Sequence, residues 1–163
     1  MATKSRQDQL LESHSNDPKQ KGSFIRAARD ILRVVKALPI SETDPRIRFI
    51  ILYGMCEKLA GAMDGTVRDL TVAEVYNSKY RVTVGHVSEA CRAIEFEFDP
   101  PDIERIFDAN NPRSARRLRN DFLHRPGPAH LKAIASSAPK LLPAMNKFLG
   151  GVDVLSRFVQ KRI

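Results

Sequence analysis

Within RNDFLH, residues 119–124, a guanidinium, a carboxamide and an imidazole fall inside six consecutive positions. The surrounding stretch, NPRSARRLRNDFLHRPGP at 111–128, adds Arg113, Arg116, Arg117 and Arg125. Phosphodiester transfer in RNA needs groups of these kinds. A histidine moves protons to and from the 2′-hydroxyl and the leaving 5′-oxygen near neutral pH. An arginine's planar fork fits the oxygens of a phosphorane that is gaining negative charge. Asp121 is the one carboxylate beside the histidine, and no His or Cys falls at metal-ligand spacing. Cleavage that uses neither a metal nor a cofactor is the simplest chemistry this set supports.

The segment reads as a helix. Asn111 is a good cap, Pro112 suits the first helical position, and RPGP at 125–128 stops the helix after His124. At ~100° per residue, Arg113, Arg117, Asn120 and His124 share a stripe about 60° wide. Ala115, Leu118 and Phe122 lie opposite. Arg119 falls outside the stripe, ~140° from His124 and flanking the apolar face. A guanidinium there calls for a partner. Asp102, Glu104 or Asp108, on the segment just upstream, are the candidates for a structural ion pair.

The six residues 119–124 resemble the hallmark of the HEPN superfamily: Arg, a polar residue, three further positions, then His. The resemblance implies an all-α bundle, a homodimer with two motifs facing across a cleft, and metal-independent endoribonuclease activity of toxin or anti-phage defence type. It implies Arg119 and His124 as the catalytic pair with Asn120 as the polar second position. RNA is then the substrate, and an antitoxin or other defence-system protein the partner. The flanking Arg113, Arg116, Arg117 and Arg125 would hold RNA phosphates. Arg81–His86 and Arg125–His130 repeat the Arg-to-His spacing, but only 119–124 has the Asn, an amphipathic helix around it and a proline stop beyond. Some members carry a tyrosine two residues past the His that a nucleotidyltransferase modifies; this chain has Pro126 there.

A second reading of the same residues is a non-catalytic helical module that binds nucleic acid or a partner protein through its basic face. A helix-turn-helix DNA binder fits less well, because RPGP is too proline-rich for the tight turn. His14, His86 and His130 read as bystanders. Tyr76, Tyr80, Phe96 and Phe98 could stack on bases, though packing in the core is the commoner fate of such residues.

The elements that must position the motif are helical. Residues 1–22 are polar and read as a flexible arm, and 23–163 as one α-helical domain of about five to seven helices. Ser23 caps a helix that runs to Leu38. Pro45 opens a long helix to about Met63, with Ile47, Ile50, Ile51, Gly54, Met55 and Leu59 on its apolar face and Gly65 ending it. TVAE at 71–74 is a capping box for a short helix. YRVTVGH at 80–86 alternates like a strand but has no second strand to pair with, so it reads as a connector into a helix at 86–96. Pro100 and Pro101 start another short helix. A long one spans 129–149, bent by Pro139 and Pro143, and a last helix follows Gly150–Gly151.

The formal net charge of +8 favours polyanionic partners by long-range attraction. No apolar run is long enough for a membrane span, and the first twenty-odd residues lack a secretory h-region. Cys56 and Cys91 sit in apolar helical patterns and read as reduced, buried thiols, which points to a cytoplasmic protein that needs no membrane.

Overall fold

The computed structural model describes residues 44–71 and 82–161. They form six helices and no strand: α1 Pro45–Thr71, α2 Val84–Ala93, α3 Pro100–Phe107, α4 Ala115–His124, α5 Pro128–Leu149 and α6 Gly151–Gln160. The protein is an all-α bundle. The arm at 1–22, the helix expected at 23–38 and, beyond Thr71, which ends α1, the rest of the capping box at 71–74 with its short helix lie outside the described residues.

α1 buries only part of the face expected: Met55 and Leu59 are in the core, but the buried stripe is centred elsewhere. Phe49, Leu52, Tyr53, Cys56, Leu59, Ala60 and Met63 recur at three and four residues and are essentially inaccessible, whereas Ile47 is 53% exposed and Ile50, Ile51 and Gly54 are half-buried. FIILYGMC is apolar on every side, so its periodicity cannot select a face. Partners on α5 and α2 select it. α1 also runs six residues past Gly65. A helical glycine costs only ~1 kcal/mol. Burial of the flanking Asp64 and Thr66 against the bundle accompanies that extension.

α2 starts two residues before His86 because Thr83 caps it, its hydroxyl accepting the His86 N–H at 3.3 Å. The cap outweighs the strand preference of the alternating Val82 and Val84. α2 stops at Ala93 in a left-handed turn: Glu95 has φ 61°, the Phe96 N–H reaches the Cys91 carbonyl at 2.8 Å, and the Glu95 N–H reaches that of Arg92 at 3.2 Å. This is the double hydrogen bond of a Schellman ending, with glutamate where glycine is usual.

α5 is one continuous helix through Pro139 and Pro143. Both prolines are exposed, so the carbonyls they leave unpaired at Ala135 and Pro139 are on the side where water reaches them. The opposite side carries Ile134, Ala138, Leu141, Met145 and Phe148 into the core. A chain of rings runs through that core: Phe96, Phe98 and Phe148 at 5.5 and 5.2 Å between successive centroids, then Phe107 at 5.0 Å and Tyr53 at 6.4 Å. Phe96 and Phe98 are therefore packing residues. Cys56 and Cys91 are free, buried thiols, and Cys56 Sγ donates to the Met145 carbonyl at 3.5 Å. Burial holds both as thiols, with Cys91 pushed up to about 11 and Cys56 further. α6 begins against α1, where a side chain at Gly151 would meet Met63 Cε at 2.5 Å. No helix among the described residues is long and apolar enough to cross a membrane.

Candidate functional site on α4

α4 begins three residues later than Pro112, at Ala115, with Ser114 as its cap. The fully buried Ser114 hydroxyl accepts the Arg117 N–H at 3.1 Å and donates to the Asp108 carbonyl at 2.5 Å. Asn111 caps the turn before it, its Oδ1 accepting the Arg113 N–H at 2.9 Å. Two short side chains thus act in tandem where the sequence suggested one. Arg113 consequently lies off the helix and leaves the stripe assigned to it.

Packing of α4 against α5, α3 and α1 decides which residues face inward. Ala115 and Leu118 are buried and Phe122 half-buried, as the wheel requires. Arg119 points inward too. Its Nη2 donates to Glu57 Oε2 at 2.6 Å, and its guanidinium carbon sits 4.6 Å from the centroid of the Tyr53 ring. The partner belongs to α1 and is none of Asp102, Glu104 or Asp108, because Arg119 flanks the face of α4 that meets α1. Tyr53 Oη also reaches Glu57, at 3.4 Å. Burial, reinforced by the Glu57 carboxylate, pushes the Tyr53 phenol well above its ordinary value, so it stays protonated.

His124 is the last residue of α4 and is exposed; Asn120, one turn earlier, is half-buried. Neither side chain has a hydrogen bond to a described residue. Four residues apart, they share a face. Arg119 and His124 do not converge: ~140° and ~7.5 Å of helix rise separate their backbone positions.

The other arginines divide by task. Arg116 donates through Nη1 to the Val82 carbonyl and ties the segment before α2 onto α4. Arg117 pairs with Asp121 at 3.0 Å along the helix surface. Arg125 is exposed beside His124. Arg113 opens onto a separate cleft with Arg105, Asn111 and Lys140. His86 supports the α2 cap, its Nδ1 2.5 Å from Thr83 Oγ1. Among the described residues no three His, Cys, Asp or Glu side chains gather as a metal-holding group.

Sequence reasoning missed Tyr53 and Glu57. Their signal was a carboxylate four residues after a tyrosine, directly following the apolar run FIILYGMC, where a charge beside buried positions needs a counter-ion. Compared with known proteins, the chain has no significant match to a protein-family model, a curated protein or a solved structure.

Proposed function

We propose that this chain is a metal-independent endoribonuclease of toxin or anti-phage defence type, acting as a homodimer with HEPN-like motifs. The observation that carries the reading is the pairing of Asn120 with the exposed His124 at the end of a helix rich in arginine. An imidazole free of a described partner is available for proton transfer, and a carboxamide one turn away can orient it or a substrate oxygen. In this chemistry the substrate's 2′-oxygen attacks the adjacent phosphorus and its proton leaves to a histidine. The bond to the 5′-oxygen breaks as that oxygen gains a proton, leaving a 2′,3′-cyclic phosphate. Two chains related by a two-fold axis would supply one histidine for each transfer, and Arg119 would face the phosphorane from across the cleft. Glu57 takes one Nη2 donor of a group that carries five.

A second reading has an observation of its own. The ion pair with Glu57 and the stacking on Tyr53 are sufficient to explain Arg119 as a packing residue, which favours a non-catalytic module that binds RNA or a partner protein. Incubation of single-stranded RNA in EDTA separates the two. The nuclease produces ends with 2′,3′-cyclic phosphate, spares RNA with a 2′-deoxy residue at the cut site, and loses roughly 10²–10⁴-fold in rate on His124→Ala. Binding without products leaves the binding module, and full activity in His124→Ala removes the histidine from the chemistry.

A further inference from the structure

The cleft that receives Arg113 lies at the other end of α4 from His124. It measures about 480 Å³ and is bounded by Arg105 of α3, Asn111 and Arg113 of the turn before α4, and Ser136, Ser137 and Lys140 of α5. Every polar group on that lining either carries positive charge or is able to donate. The Asn111 Oδ1 is occupied by the Arg113 N–H, which leaves its amide NH₂ as the available group. No carboxylate lines the cleft. Asp102 pairs with one Arg105 nitrogen at 2.9 Å, and the Arg113 and Lys140 side chains have no partner among the described residues. Arg113 and Lys140, without counter-ions, share the cleft with a third cation whose charge Asp102 offsets on one nitrogen only, so the arrangement favours a ligand that brings several anionic oxygens.

We infer that this cleft binds the phosphate backbone of single-stranded RNA, as an anchoring site separate from His124. The donor set is the kind that contacts phosphate oxygens. The volume falls in the range of small-ligand sites and admits a nucleotide's phosphate with part of its sugar. The nine positions from Ala115, at the start of α4 beside the cleft, to His124 correspond to roughly 14 Å of helix rise. A strand held here therefore reaches the exposed end of α4 within a few nucleotides. The choice of RNA rests on the proposed function; the preference for a chain of phosphates rests on the cleft.

The test is binding of a short single-stranded 2′-O-methyl RNA, which cannot be cut through its 2′-oxygen, measured over a range of salt. Wild type is compared with Arg113→Ala/Lys140→Ala and with a charge-matched control, Lys132→Ala/Arg157→Ala. All four residues are exposed, and a thermal melt by circular dichroism verifies that each variant is folded. The cleft variant should bind more weakly and lose about 1.4 from the slope of log K against log salt, at ~0.7 for each cation removed, while the control keeps most of the wild-type slope. Equal losses in both variants, no loss in the cleft variant, or no RNA binding by wild type overturns the inference. If the cleft variant alone loses slope but wild type never cleaves natural RNA, the anchoring site stands and the nuclease reading falls. Cleavage together with equal losses gives the reverse.

Discussion

Arg119 on α4 donates to Glu57 on α1 at 2.6 Å across sixty-two positions of sequence. The pair clamps the motif helix to α1, the longest helix among the described residues, at the point where the chain of rings ends in Tyr53. Arg119 is 19% exposed and Glu57 39%, so water screens the attraction in part. A double-mutant cycle with Arg119→Ala and Glu57→Gln in urea should give a coupling of about 1 kcal/mol, between a solvated pair and a buried charged hydrogen bond. Additivity of the two variants would mean that the charge on Glu57 contributes nothing to the pair.

The buried thiols and the Tyr53 phenol set an alkaline limit. Each has a pKa raised by burial, so the native state keeps a proton that the unfolded chain releases. The unfolded state then binds fewer protons, and stability falls as pH rises. The stability from these groups is complete below the unfolded thiol value of about 8.5 and declines above it, through the Cys91 value of about 11. Denaturant midpoints should therefore drop from about pH 9 upward, with thiol-reagent labelling of Cys56 appearing in the same range. A midpoint that stays flat to pH 10 would contradict the burial.

Ser114 concentrates two jobs in one hydroxyl, capping α4 and joining it to the carbonyl that ends α3. Ser114→Ala removes the cap, worth about 1 kcal/mol, and leaves a carbonyl without its donor. The expected loss is roughly 2 kcal/mol of unfolding free energy, with Asn111→Ala costing less because its turn is exposed. A Ser114→Ala loss under about 0.5 kcal/mol would show that the cap is dispensable.

Glu95 holds a left-handed backbone, which disfavours side chains by roughly 1–2 kcal/mol. Its side chain is exposed and has no described hydrogen bond. Glu95→Gly should raise stability by about 1 kcal/mol, read as a higher melting temperature, once the greater freedom of an unfolded glycine is set against the relief of strain. A lower melting temperature would mean that the side chain matters in the fold.

Which elements the sequence made legible follows from where their signals are local. Proline and glycine placed α3, α5 and α6 to within a residue or two, because those residues act on their own backbone. The face of α1 was legible only in part, at Met55 and Leu59: FIILYGMC has apolar residues all round, and contact with α5 and α2 chooses among them. The inward turn of Arg119 was legible from its angle on the helix, since a charge flanking an apolar face needs a partner. The identity of that partner was not, because Glu57 is distant in sequence and nothing local links it to α4. Likewise Arg105, Ser136 and Lys140 meet Arg113 only once α5 packs beside the turn before α4.

Activity separates the two jobs open to Arg119. Glu57→Gln keeps a hydrogen-bond acceptor of the same shape but removes the carboxylate that competes with phosphate for the guanidinium. If Arg119 faces the phosphorane, Glu57→Gln should raise kcat/KM several-fold while lowering the melting temperature. Arg119→Lys should then lose about 10²-fold or more, since an ammonium cannot reproduce the fork that stabilises developing charge. If Arg119 only packs against Tyr53, both variants change the melting temperature and leave the rate per folded molecule untouched. His124→Ala supplies the reference, as its exposed ring has no described structural contact to lose. It should lower the rate by roughly 10²–10⁴-fold without shifting the melt, so a variant series in which rate simply tracks stability would remove both residues from the chemistry.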